Sequence, residues 1–208
     1  MGPGRLHALV DGVFAIAVTL LVLDLPHPGG SSRLAHDLIE DWPSYLAYLV
    51  SFVTIGVIWI EHVGLLSAVR FVNRRFLERT LVFLLFVSII QWPTALAADY
   101  VTSGGGQART VAVLYASIML LMSVSMTASW RYLMHHPELV AQEARGAFAA
   151  GTRRSMIASL VYVPAILLAF ASPPASFALD GAVAVYFALS RSEVPGLIHR
   201  AAIASEPS

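Results

Sequence analysis

The feature that most constrains this chain is a series of apolar runs, each about as long as a bilayer core is thick. Crossing that core takes roughly 20 helical residues, with about 17 to 25 allowed. Six runs reach or approach this length: residues 8–25, 44–64, 80–98, 110–130, 155–172 and the shorter 175–190. Breaker-rich segments such as PHPGGSS, TSGGGQ and SPPAS separate several of them. Because a backbone in lipid must satisfy its own hydrogen bonds, and the runs are too long for strands, we expect helices. The prediction is an all-α integral membrane protein, with residues 1–208 forming a single domain of six transmembrane helices.

The composition agrees with a protein solvated by lipid. Hydrophobic residues make up 57% of the chain and charged residues only 12%, against about 25% in ordinary soluble domains. The formal net charge is zero, so no attraction to nucleic acid is indicated. The chain has no cysteine, which excludes disulfides and thiolate metal sites. His135 and His136 are adjacent but lack a third ligand, so no metal and no cofactor is expected.

The distribution of arginine predicts an orientation. With six spans, the N-terminus, two loops and the C-terminal tail share one side of the membrane and carry eleven of the thirteen basic residues. These are Arg5, Arg70, Arg74, Arg75, Arg79, Arg131, Arg145, Arg153, Arg154, Arg191 and Arg200. The opposite side carries only Arg33 and Arg109. Positive charge marks the cytoplasmic side, so both termini are expected in the cytoplasm.

The first run carries polar residues that a simple anchor does not need. Ile16, Leu20 and Leu23 follow helical spacing and form one stripe, with Thr19 beside it and Asp24 extending it outward. Such a stripe is commonly a lipid-facing or packing surface, and a membrane threonine commonly bonds to its own backbone. It also fits a pore wall, in which an apolar ring excludes water and an acid at the mouth gathers cations. The spacing fits both interpretations.

Ionisable residues near the spans need partners. Asp11 lies near the cytoplasmic end of the first span, together with Arg5, and the second span ends in WIEHVG, which contains Trp59 and His62. If Asp11 interacts with Arg5 and His62, each of these three ionisable side chains has a partner. Asp180 is interpreted as a structural charge at the start of the sixth span.

These segments resemble the transmembrane-protein-175 potassium channels in their prokaryotic, single-repeat form. The family's first helix reads R-x-x-x-F-S-D, and here Arg5 and Asp11 hold the two ends, followed by the similar DGVFAIAVTLLVLDLP. GVIWIEH matches the family's G-x-x-W-x-x-H at Trp59 and His62, and NRRFLERTLVFLLFVSIIQWPTALAADY is similar to its third span. Leu9 and Val10 replace the family's Phe-Ser. The motifs cover the first half of the chain.

The resemblance implies a homotetrameric, potassium-permeable cation channel in a bacterial plasma membrane, with its pore lined by the first helix. Ile16 would form a hydrophobic gate, Thr19 a hydroxyl layer, and Leu20 and Leu23 the wall above it. Arg5, Asp11, Trp59 and His62 would form a polar network that docks this helix. Because there is no TVGYG filter, selectivity for potassium over sodium would be modest, and Asp24 would attract cations at the outer mouth. Its partners would be three further copies, the lipid bilayer and monovalent cations.

Three other functions are open to a membrane protein of this size. A proton-coupled or facilitative transporter needs ionisable groups near the midplane, usually with an inverted repeat, and neither is evident. An intramembrane enzyme needs a convergent polar set such as HExxH, which is absent. A structural scaffold would leave the charged groups around the first helix unexplained.

Overall fold

The structure is a computed structural model that describes residues 2–27, 33–100 and 105–189. Ser190, the expected end of the sixth span, and the tail residues Arg191 and Arg200, used in the orientation argument, lie outside the described residues.

Helices dominate the described part of the chain. The eight α-helices are α1 (Gly4–Leu20), α2 (Leu34–Glu40), α3 (Trp42–Ser67), α4 (Arg74–Ile89), α5 (Gln91–Tyr100), α6 (Gly105–Met134), α7 (Ala147–Ala171) and α8 (Pro173–Leu189). Short 3₁₀ turns lie at Leu21–Asp24, Pro137–Leu139 and Gln142–Ala144. The expected all-α class is therefore confirmed.

Five helical segments of the described chain are long and apolar enough to cross a bilayer. They are Gly4–Asp24, Trp42–Ser67, Arg74–Tyr100, Gly105–Met134 and Phe148–Ala171. The sixth segment, Pro173–Leu189, is apolar but shorter. Five spans thus agree with the sequence, and the sixth remains a prediction.

The third span is interrupted where α4 meets α5. Pro93 has no N–H to donate to the Ile89 carbonyl, and α4 ends at Ile89. The helix resumes at Gln91, and the Thr94 hydroxyl donates to the Ile90 carbonyl at 2.9 Å. The Thr94 backbone N–H donates to the same Ile90 carbonyl at 3.2 Å, so Thr94 contacts the residue at the break through two hydrogen bonds.

Helix α6 lies at the centre of the bundle and packs against α4, α5, α7 and α8. Its closest partner is α7, and hydroxyl groups join the two helices. The oxygens of Ser123 and Ser159 are 2.9 Å apart, and those of Thr127 and Ser155 are 2.7 Å apart. Small hydroxyl residues allow membrane helices to approach closely and to bond across the interface.

Helix α1 packs on the edge of this bundle, mainly against α3 and α4. Its buried residues recur with helical spacing and define a single face: Leu6, Val10, Phe14, Ala17 and Leu21. The other side of α1 is left uncovered by the rest of the chain.

Candidate functional site

The candidate site is the uncovered face of α1, opposite its packed face. Ile16 is 59% exposed, Leu20 40% and Leu23 66%, and Thr19 is also exposed. The stripe expected from spacing is thus a continuous surface of mixed aliphatic and hydroxyl groups. A second copy of the chain, a lumen or lipid must cover it.

The Thr19 hydroxyl is directed by its own helix. Its oxygen lies 2.9 Å from the Ala15 carbonyl and 3.1 Å from the Ile16 carbonyl, so its hydrogen is donated back to the backbone. This is the back-bonding expected of a membrane threonine. Because the hydrogen points inward, the oxygen presents its lone pairs to the uncovered face. Such an oxygen can interact with a passing cation.

Gly12 belongs to the same face and was not singled out from the sequence. It lies four residues before Ile16 and seven before Thr19, so the three share one side of the helix. A Cβ added at Gly12 would meet nothing within 4 Å. The side chain of Ile16 therefore projects from this face, whereas no side chain projects from it one turn earlier, at Gly12. The helical spacing between Gly12 and Ile16 is the sequence feature that could have identified Gly12.

Three rings hold α1 against the bundle. The His62 ring stacks on Phe83 of α4, with centroids 4.6 Å apart and planes 6° apart. Phe14 of α1 packs on both, at 6.4 Å from His62 and 6.1 Å from Phe83. All three side chains are at most 3% exposed. Phe14 and Phe83 lie within the family-like motifs, but nothing in their spacing indicated this cluster.

One pair of the expected polar network comes together directly. The Trp59 indole N–H donates to Asp11 Oδ1 at 3.0 Å, and both residues are exposed. His62 does not join them, because it is fully buried and neither ring nitrogen has a hydrogen-bond partner among the described residues. Arg5 is exposed, and no ion pair of Arg5 is found among the described residues. Asp11 and Trp59 thus pair, whereas the contacts found for His62 are with the rings of Phe14 and Phe83.

A further polar contact joins α1 to the break in the third span. Gln91 Nε2 donates to the Ala17 carbonyl at 3.0 Å. This amide was not recognised as a site residue, although a glutamine inside an apolar span is itself a signal that it has a partner. This hydrogen bond attaches α1 to α5 at the height of the Ile16–Leu20 segment.

The C-terminal end of α1 is acidic. Asp24 ends the 3₁₀ turn after α1 and is exposed, and Asp99 of α5 is close enough to interact with it electrostatically.

At the level of Asp11, Val10 is fully buried and Leu9 is 43% exposed. The replacement of the family serine by Val10 is therefore accommodated in the apolar core.

Three further ionisable side chains lie away from α1. Glu61 of α3 and Arg154 of α7 form an ion pair at 2.8 Å, and Arg154 also lies 4.8 Å from the Phe187 ring. Asp180 is buried about two turns into α8, not at the start of that helix as expected. The interior of the bundle therefore does contain an ionisable side chain.

The one group of potential metal ligands found in the described residues lies on α2. One ligand atom each of His36, Asp37 and Glu40 lie within 4.8 Å of one another, on a short exposed helix. His36 Nδ1 is 3.6 Å from Glu40 and 3.8 Å from Asp37, and the three residues are neighbours on one short helix, which accounts for the arrangement.

Comparisons with known proteins relate this architecture to one family. A family model described as the endosomal/lysosomal potassium channel TMEM175 matches residues 5–90. A protein from Streptomyces collinus named as a potassium channel is 37% identical over 195 residues, covering 92% of this chain and 94% of that protein.

A solved structure and a vertebrate relative extend the comparison. The crystal structure of a lysosomal potassium-selective channel TMEM175 homolog from Chamaesiphon minutus superimposes with a TM-score of 0.79 at 33% identity, covering 90% of this chain and 96% of that chain. The human endosomal/lysosomal proton channel TMEM175 is 31% identical over 179 residues, or 81% of this chain and 35% of the human protein.

Proposed function

The chain belongs to the TMEM175 family, and from that premise we propose that it forms a potassium-permeable channel whose pore is lined by α1. The relatives compared above are ion channels rather than enzymes. One observation carries the proposal: α1 packs with one face only, and its uncovered face combines aliphatic, hydroxyl and glycine positions and ends in a carboxylate.

Ile16 is the proposed gate. Its side chain is 59% exposed on a helix that is well packed on its other side, so it projects away from its own bundle. Copies of Ile16 around an axis would make an apolar ring, against which a potassium ion could not replace its hydration shell. Such constrictions gate by excluding water. Conduction would then require α1 to rotate or tilt so that the ring widens.

The residues above the gate set a modest selectivity. Thr19 would offer one oxygen per chain, and Leu20 and Leu23 would offer none. A layer of single hydroxyls replaces much less of a hydration shell than the stacked carbonyl rings of a TVGYG filter. Exposed carboxylates of Asp24 would raise the local cation concentration at the outer mouth without discriminating between ions of equal charge.

The proposed assembly is a homotetramer in a bacterial plasma membrane, with both termini in the cytoplasm. Each chain contributes one uncovered helix face, so a closed pore requires several copies around an axis, and four copies of α1 would enclose a narrow one. Closed cyclic symmetry also covers the same face on every subunit. The arginine asymmetry supports the orientation.

The test is potassium flux into liposomes that contain the purified protein. Ile16→Asn should raise the flux, because an amide ring can be hydrated where isoleucine excludes water. Leu160→Asn on α7 is the matched control, since Leu160 is 66% exposed on an apolar face that does not belong to α1. Flux raised by Ile16→Asn and unaffected by Leu160→Asn supports the proposal. Equal effects of both variants, or no flux from well-folded wild-type protein, would refute it.

One observation favours the alternative of a proton-coupled or facilitative transporter. Asp180 is an ionisable side chain buried inside the bundle, which is where transporters place coupling groups. Electrical recording separates the two functions. A channel gives discrete single-channel currents carried by potassium at symmetric pH. A transporter instead gives slow, saturating uptake that follows the imposed proton gradient.

A further inference from the structure

A cavity of about 400 Å³ lies between α3, α5, α6 and α8, away from the uncovered face of α1. Its volume falls within the range of about 300–1,000 Å³ that is typical of small-molecule sites. Most of its wall is apolar, and it includes Leu46, Val50, Ala97 and Phe177. No described residue of α1 lines it, so the cavity is separate from the proposed pore.

One end of the cavity is polar and deeply buried. Asp180 is 3% exposed, Ser51 3%, Thr94 5% and Tyr115 4%. The hydroxyl oxygens of Ser51 and Thr94 are 3.1 Å apart, and Thr94 also donates to the Ile90 carbonyl. The hydroxyl groups therefore already have partners. They form a fixed polar wall beside the carboxyl group.

The Asp180 carboxyl differs from its neighbours because neither of its oxygens has a hydrogen-bond partner among the described residues. Burying a carboxyl group in this way is costly unless another group pairs with it. The polar side chains that line the cavity beside it are the Tyr115 phenol and the Ser51 and Thr94 hydroxyls, and no basic side chain is among the described residues that line it. A cation that enters the cavity from outside would supply the missing partner of the ionised carboxyl group.

The residues that line the cavity favour one class of ligand for Asp180. A bare metal ion would need several oxygen ligands, and one carboxyl group with hydroxyls that are already bonded does not supply a full set. A ligand with one cationic donor and a compact apolar body matches both ends of the cavity. We propose that this cavity binds a primary ammonium compound with a small apolar body, and that Asp180 is its counter-ion.

The test measures binding rather than ion flux, so its result is independent of the proposed channel activity. The full-length protein in lipid nanodiscs is titrated with 4-(trifluoromethyl)phenethylamine and observed by fluorine NMR. The neutral probe is the corresponding alcohol, 4-(trifluoromethyl)phenethyl alcohol. We expect saturable binding of the amine and about tenfold weaker binding of the alcohol, because a charge-assisted hydrogen bond is lost.

Three variants locate the bound amine. Asp180→Asn should weaken amine binding by about tenfold or more while keeping the shape of the side chain. Ala97→Leu keeps the carboxyl group but places a larger side chain in the cavity, and it should also weaken binding, which preserves the test if Asp180→Asn does not fold. Glu143→Gln, at an exposed position in the turn Gln142–Ala144, is the matched control and should bind the amine as the wild type does.

Amine binding at wild-type affinity by folded Asp180→Asn or Ala97→Leu protein would overturn the proposal. So would binding that is lost in Glu143→Gln, because the amine would then bind at the protein surface, away from Asp180. Equal affinity for the alcohol, or no saturable binding of the amine by the wild type, would likewise refute it.

Discussion

Replacement of His62 tests how α1 is held against the bundle. In a polar docking network, His62 would contribute a hydrogen bond or a charge, and phenylalanine could not replace it. In the structure, His62 is fully buried, stacks on Phe83 at 4.6 Å and has no hydrogen-bond partner among the described residues. We therefore expect His62→Phe to be clearly more stable than His62→Ala.

The magnitudes follow from the packing. Both replacements remove the two unpaired ring nitrogens of His62, so this contribution is the same in each variant. The variants differ in the ring that packs on Phe14 and Phe83. Truncating a buried aromatic ring to alanine costs about 3–5 kcal/mol, of which the relief of overpacking by the larger phenylalanine ring returns about 1–3 kcal/mol, so His62→Phe should be about 2 kcal/mol more stable than His62→Ala. At about 2–4 °C per kcal/mol, the Tm of His62→Phe should be about 4–8 °C higher than that of His62→Ala.

The assay is the loss of the oligomer peak in size-exclusion chromatography after heating in detergent. His27→Ala is the control, because His27 is exposed and its replacement removes an imidazole without touching the ring cluster. If His62→Phe lowers the Tm as much as His62→Ala does, ring packing is not the role of His62.

Three further predictions concern charge and packing elsewhere. In liposomes, Asp24→Asn should reduce potassium flux at about 10 mM salt. It should have little effect at about 1 M salt, because charges are screened beyond a Debye length of about 3 Å. Glu61→Gln or Arg154→Gln alone should lower the Tm more than the double variant does, because each single change leaves one partner of a 2.8 Å pair, 24% or less exposed, without its counter-ion. Gly151→Ala should lower the Tm by several degrees, because a Cβ there would lie 2.6 Å from the Trp130 ring of α6.

Each of these has a result that would contradict it. A loss of flux with Asp24→Asn that is independent of salt would mean that Asp24 acts by contact rather than by its field. Additive losses in the Glu61 and Arg154 variants would mean that the two charges do not stabilise each other. Unchanged stability of Gly151→Ala would mean that α6 and α7 can separate at no cost.

Much of the fold could be predicted from the sequence, because in lipid each helix satisfies its own backbone and needs only a long apolar run. The five confirmed spans follow from this rule. The break between α4 and α5 follows from Pro93, which cannot donate to the residue four positions earlier. The uncovered stripe of Ile16 and Leu23 on α1 was likewise visible as helical spacing, because neighbours on a helix face are fixed by the local geometry.

The partners of the polar residues were decided only by the tertiary structure. Asp11 and Trp59 are 48 residues apart, and Gln91 lies 74 residues from the carbonyl that it binds. Spacing along the chain cannot rank such pairs, because they depend on how whole helices are placed against one another. The same packing of helices buries Asp180 beside a cavity and stacks the His62 ring on Phe83. Sequence alone therefore determines which segments cross the membrane and which face of α1 is distinctive, whereas packing between helices determines which side chains meet.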